Sequence, residues 1–159
     1  MTPTIVRGDL LDQQVAVIVN AWNRNVIPWW LLLPQGVSGA IKRRGGTKPF
    51  RELGWRAIPL GAARLTGAGT LPHEAIIHVA AIDLLWRASA SSVARSVEAA
   101  MALVEAHRFA SVAFPVLGAG SGGLDEAEAL EAMLATFARL DGDAHVTVVR
   151  FQGSSGRKR

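Results

Sequence analysis

Two asparagines three positions apart, Asn20 and Asn23, close an otherwise apolar run, residues 18–23 (IVNAWN). Asparagine is a poor strand residue, so two of them at a strand's carboxyl end point to a ligand rather than to packing. Each side chain offers two donors and an acceptor without charge, a set that suits ribose hydroxyls or an oriented water. The same groups also suit capping of the next turn. A second stretch able to do chemistry is residues 117–124 (LGAGSGGL), where Gly118, Gly120, Gly122 and Gly123 permit positive φ and close backbone approach. Successive N–H groups in such a loop can cradle a phosphate, although a plain flexible connection reads the same way. The Lys-Ser/Thr pair of a P-loop is missing, which argues against a Walker-type NTPase, and the late position is unlike a Rossmann fingerprint. Asp9, in Gly8-Asp9-Leu10, fits either a turn or a carboxylate accepting from an adenine amino group.

These residues need elements to hold them. Residues 4–6 read as a short strand, and 14–20 (QVAVIVN) as a strand buried on both faces. Residues 36–44 form a short helix with glycines at its ends, and 62–66 and 75–80 (AIIHVA) are strand candidates. Residues 91–106 carry Val93, Val97, Ala100, Met101 and Val104 on one helical stripe, with Ser91 or Ser92 as the cap. Residues 111–116 form the next buried strand. Residues 125–140 form a second helix whose first turn is crowded by Asp125, Glu126 and Glu128. Residues 145–151 make the final strand. The alternation predicts an α/β fold, a three-layer α/β/α sandwich with a mixed, largely parallel central sheet. Ligands in such sheets bind beyond the carboxyl ends of the strands, so both unusual loops are expected on one rim, flanking one cleft.

Composition bounds the rest. A chain of 159 residues, half of them hydrophobic, fits one domain over residues 1–152, with 153–159 (GSSGRKR) as a disordered basic tail. The apolar run 27–34 is too short to span a bilayer, and no signal peptide is evident at the start. With no cysteine there are no disulfides, thiol catalysis or thiolate metal sites. The expectation is a cytoplasmic monomer without metal, cofactor or membrane partner. Six of the seventeen basic residues lie in Lys42-Arg43-Arg44 and Arg157-Lys158-Arg159. These are either solvated surface or an attraction for polyanions.

Taken together, the motifs resemble those of a macro domain, the ADP-ribose-binding α/β/α module. Gly8-Asp9-Leu10 is similar to that family's Gly-Asp-Ile/Leu, and residues 18–23 to its Val-Asn-Ala-Ala-Asn. Residues 36–46 (GVSGAIKRRGG) resemble its Gly-Val-Asp-Gly-Ala-Ile helix start, residues 76–79 (IIHV) its Ile-His-Thr-Val strand, and residues 114–120 (FPVLGAG) its Phe-Pro-Ala-Ile-Gly-Thr-Gly. The resemblance implies that Asp9, beside Leu10, bonds adenine. It implies that Asn20 lines the inner wall and that Asn23 lies near the distal ribose. Gly36, Val37 and Ser38 would flank the distal ribose and diphosphate, while Gly118, Ala119, Gly120, Ser121 and Gly122 wrap the diphosphate. Phe151 would cover the adenine face or serve as an ordinary core aromatic.

The departures bear on chemistry. Ser38 stands where many hydrolytic members carry Asp, and serine is no general base at neutral pH. Lys42 stands where a His is common, and some branches use a catalytic lysine. Gly122 stands where relatives often have an aromatic. Residues 24–35 make a longer loop, with Trp29-Trp30 as a lid, a contact surface or a core patch. The resemblance implies an ADP-ribosyl hydrolase with Asn23, Ser38 and Lys42 as catalytic candidates, removing mono-ADP-ribose from a protein carboxylate or a nucleic acid. The alternative is a reader that binds ADP-ribose without chemistry. A third class, a nucleic-acid-binding protein using the basic clusters, finds no run of interleaved aromatics to support it.

Overall fold

The computed structural model describes residues 1–23 and 36–152, with Asn23 described through its backbone only. Six strands form one sheet in the order β1-β6-β5-β2-β4-β3. They are β1 (Thr4–Gly8), β2 (Val17–Asn23), β3 (Ala63–Gly67), β4 (Ala75–Ile82), β5 (Ser111–Pro115) and β6 (His145–Phe151). All pairings are parallel except β3 with β4, which is antiparallel. The mixed, largely parallel sheet expected from the alternation is therefore present.

Period-2 alternation assigns each strand residue to a layer. Val17 and Val19 of β2, with Ala75, Ile77, Val79 and Ala81 of β4, face one core, which is closed by α3 (Ala90–Ala106) and α4 (Glu126–Arg139). Ile18 and Trp22, with Ile76 and Ala80, face a second core, closed by α1 (Gly36–Gly45) and α2 (Lys48–Leu53) through Ile41, Phe50 and Leu53. Every residue of β4 is buried, as a central strand covered on both faces requires.

The structure corrects several boundaries. β2 begins at Val17 rather than at position 14, because Val15 N–H turns back to the Gln13 carbonyl at 3.1 Å. It runs on to Asn23, so Asn20 lies mid-strand rather than at an end. The cap of α3 is Ser89, not Ser91 or Ser92. Ser89 accepts from Ser92 N–H, and the Ser92 hydroxyl accepts in return from Ser89 N–H, a reciprocal box. The Ser92 hydroxyl also donates to the Ala81 carbonyl at 2.7 Å, tying α3 to β4. Asp125 is the cap of α4 rather than part of its first turn, accepting from the N–H groups of Ala127 and Glu128. Helix α2 was not expected: it has six residues, too few for a periodic signal, and opens with Pro49 in its first turn. Trp29-Trp30, expected as a lid, a contact surface or a core patch, and the basic tail 153–159 lie outside the described residues.

Candidate functional site

Strands β2 and β5 are parallel neighbours, paired at Val17–Val112 and Ile18–Ala113. Beyond those pairs β2 continues only with β4, and β5 only with β6. The chain leaving β2 builds the β4–β3 side of the sheet, while the chain leaving β5 builds the β6 side. This is a topological switch point, where the two connections part and leave a crevice at the strands' carboxyl ends. Asn20, with Ser38 bonded to it, stands on the β2 side of this switch point, and residues 117–123 follow the carboxyl end of β5 on the other.

On the β2 side a buried polar chain runs through the second core. Asn20 and His78 are register partners in neighbouring strands, and both point away from the α3–α4 layer. Ser38 Oγ donates to Asn20 Oδ1 at 2.9 Å, and Asn20 Nδ2 lies 3.0 Å from His78 Nδ1. His78 Nε2 lies 2.8 Å from Thr66 Oγ1, which donates to the Gly67 carbonyl at 3.0 Å. Thr66 spends its proton on that carbonyl, and Asn20 has an N–H to give, so His78 carries its proton on Nε2. All four bonds then run in one sense, from Ser38 to Gly67, and reinforce one another. Burial lowers the His78 pKa to about 3, with the Arg64 guanidinium contributing in the same direction. The imidazole is neutral at any physiological pH. Trp22 and Phe50 wall it in, with ring centroids 6.3 and 5.9 Å from its own.

Ser38 is half-buried in the first turn of α1, so the helix start brings its hydroxyl to Asn20. Val37 packs against the second core, and Gly36 is exposed with φ +55°. Lys42 lies one turn further along, with its amino group 5.0 Å from the Phe50 ring centroid. Partial burial lowers its pKa. For Asn23 the backbone alone is described: it ends β2 opposite Ile82, after a register shift at Trp22.

On the β5 side the glycine loop is ordered rather than a plain connection. Gly120–Gly122 form one 3-10 turn, the Gly123 N–H closes on the Gly120 carbonyl, and the Leu124 N–H on that of Gly118. The Gly122 carbonyl accepts from Ala88 N–H at 2.9 Å, fastening the loop to the segment after β4. Gly118 is buried with φ +85°, and a Cβ there would stand 2.9 Å from that of Ala88. Gly120 has φ +74° but open space around it. One glycine is thus fixed by packing and backbone together, and the other by backbone alone. Ala119 is half-buried and Ser121 is exposed.

At the β1–β6 end Gly8 pairs with Phe151, which brings Asp9 and Phe151 to one place. Phe151 is 80% exposed, so it is not a core aromatic; the sheet ends before it can be covered. The Asp9 carboxylate accepts from Leu11 N–H at 2.8 Å and pairs with Arg44 at 3.3 Å. The Leu10 side chain is buried in the second core.

The family model described as Macro domain matches residues 19–133, most of the chain. The chain belongs to the macro domain family. It is 33% identical over 165 aligned residues to a macro domain-containing protein of Listeria monocytogenes, covering 95% of this chain and 89% of that protein. It is 32% identical over 145 aligned residues to a Klebsiella pneumoniae protein named O-acetyl-ADP-ribose deacetylase, covering 84% and 78%. Among solved structures it is similar to the Oceanobacillus iheyensis macrodomain with ADP, at a TM-score of 0.80 and 27% identity over 94% of this chain and 83% of that one. Among the described residues of this macro domain, no group of His, Asp and Glu could hold a metal ion, and no helix is long and apolar enough to cross a membrane.

Sequence reasoning named Asn20 and Ser38 but missed Thr66 and Arg64, and assigned His78 no role. A signal was present: a histidine inside the apolar run of β4 is expensive to bury unless its ring is bonded at both nitrogens.

Proposed function

We propose that this macro domain binds ADP-ribose in the crevice between β2 and β5 and hydrolytically removes it from a modified macromolecule. The observation that carries the reading is the switch point itself, which sets Asn20 and Ser38 on one wall and the Gly118–Gly122 turn on the other. The N–H groups of residues 118–122 hold the diphosphate, and the distal ribose lies against Gly36, Val37, Ser38 and Asn23. Asp9 and Phe151 hold the adenine. Domain boundaries of 1–152 accommodate all of these residues.

Hydrolysis at the anomeric carbon passes through a cation-like state. The substrate's own diphosphate stabilises that state, and the site contributes mainly by positioning. Ser38 spends its proton on Asn20, which leaves its lone pairs to accept from a water or a ribose hydroxyl. It therefore orients the attacking water without acting as a base. Lys42 supplies positive charge on the ribose side of the crevice, its partial burial bringing it closer to a neutral amine. The relative named O-acetyl-ADP-ribose deacetylase favours an ester-linked substrate over other linkages. The alternative, an ADP-ribose reader without chemistry, draws on Ser38 standing where hydrolytic members carry a carboxylate.

The test is release of ADP-ribose from glutamate-linked, serine-linked and DNA-linked substrates, with Asn23→Ala as the control. Release from at least one substrate, lost in the control, is expected. Binding of free ADP-ribose with no release from any substrate leaves the reader, and no binding ends both readings.

A further inference from the structure

The formal charge of +4 conceals a strong division between the two helical layers. Residues 36–67, which supply α1, α2 and β3, contain seven basic residues and a single acid, Glu52. Residues 89–143, which supply α3 and α4, contain three basic and eight acidic residues. On the α1–α2 side the few carboxylates are already engaged. Glu52 accepts from Gly67 N–H at 2.7 Å, while Asp9 and Asp12 are paired with Arg44. Arg43, Lys48, Arg51 and Arg56 are exposed, and no described carboxylate pairs with them. Between Arg51 and Arg56 stands Trp55, 78% exposed. Its place is fixed from beneath: Arg64 Nη1 donates to the carbonyls of Leu53 at 2.8 Å and Arg56 at 3.3 Å, pinning the chain on both sides of it.

We propose that the exposed cations of this layer, Arg43, Lys48, Arg51 and Arg56, together with Trp55, form a docking surface for single-stranded nucleic acid. The cations supply the phosphate contacts, and the indole supplies a platform on which an unpaired base stacks. A duplex hides its base faces and cannot use the indole. An anionic membrane needs a broad apolar face, and Trp55 is the only large hydrophobic residue exposed among the described residues of 36–67. The acidic α3–α4 layer of a second copy is the remaining complementary partner. The proposal does not depend on ADP-ribose binding, because none of these residues has a place in the crevice. The surface does start close to it: α1 carries Ser38 in its first turn and Arg43 in its last, about 7.5 Å apart along the axis. A strand docked here approaches the crevice from the side of the distal ribose.

The experiment is fluorescence anisotropy of a labelled oligothymidylate titrated with the full chain, at salt concentrations from about 50 to about 200 mM. Four phosphate contacts predict a slope of log affinity against log salt near −2.8, roughly a fifty-fold loss across that range. Trp55→Ala is expected to weaken binding about tenfold with the slope unchanged, because stacking releases no counterions. The double variant Arg51→Glu/Arg56→Glu is expected to weaken binding more than tenfold and to flatten the slope. Melting temperatures within a few degrees of wild type confirm that both variants fold. Binding undiminished in the double variant would assign it to other cations, such as those of residues 157–159, and overturn the proposal. So would equal affinity for duplex and single strand, or Trp55→Ala binding as wild type. Preference for anionic phosphatidylserine vesicles over the oligonucleotide would also overturn it, as would self-association of the chain that the double variant abolishes.

Discussion

Acidification from pH 7 to pH 5 should destabilise this protein through one residue, His78. Its imidazole is fully buried between Trp22 and Phe50, accepts from Asn20 and donates to Thr66. Protonation of Nδ1 would set two donors against each other beside the Arg64 charge. The folded-state pKa is accordingly about 3, against about 6.5 in the unfolded chain. The folded pKa is the depressed one, so the stabilisation is complete above pH 6.5. It is lost as pH falls, because the unfolded chain takes up a proton that the folded chain refuses. Between pH 7 and pH 5 this costs about 2 kcal/mol, with a slope approaching 1.4 kcal/mol per pH unit at the lower end. Urea titrations followed by tryptophan fluorescence at pH 7, 6 and 5 measure it, and a shift of about 1 M in the midpoint is expected. His78→Gln is the control, since its amide can accept from Asn20 and donate to Thr66 without titrating. The other histidines contribute equally to both proteins, so the difference in slope isolates His78. Equal slopes in wild type and His78→Gln would refute the reasoning.

Three further outcomes follow from the same geometry. Thr66→Val leaves the His78 Nε2–H buried without an acceptor and should cost about 1–3 kcal/mol in the same urea assay. Gly120→Glu should abolish ADP-ribose binding by calorimetry, because its carboxylate would occupy the diphosphate position. Gly120→Ala carries the same positive-φ strain of about 1–2 kcal/mol into open space, and should weaken stability while retaining binding. Ser38→Ala removes the donor to Asn20 and the acceptor offered to water, and should slow ADP-ribose release by tenfold or more in a single-turnover assay while leaving affinity within a few-fold.

The two long helices were legible from their apolar stripes and the buried strands from their continuous apolar runs, and the expectation of one rim followed from strand–helix alternation with both loops at strand carboxyl ends. The switch point between β2 and β5 was not, because strand order depends on which connections cross the sheet and no single segment encodes that. The Ser89–Ser92 box was missed because three serines within four residues offer the same cap chemistry, and only the chain path selects one. The pairing of Asn20 with His78 needs the register of two strands 58 positions apart. The exposure of Trp55 beside Arg51 and Arg56 likewise depends on α2, whose six residues leave no period to read. The basic clusters noticed in the sequence, residues 42–44 and 157–159, are not the whole of the charge pattern. Arg44 is paired with Asp9 and Asp12, while the exposed Arg43 comes from α1, Lys48 and Arg51 from α2, and Arg56 from the segment after it.

On the proposed function, the crevice between β2 and β5 holds one ADP-ribose molecule, gripped from both walls. A crystal structure of the protein soaked with ADP-ribose tests this directly. The predicted result is the diphosphate on the backbone N–H groups of residues 118–122, with the distal ribose against Ser38. Ligand density on any other surface, or in the crevice but touching neither wall, would contradict it.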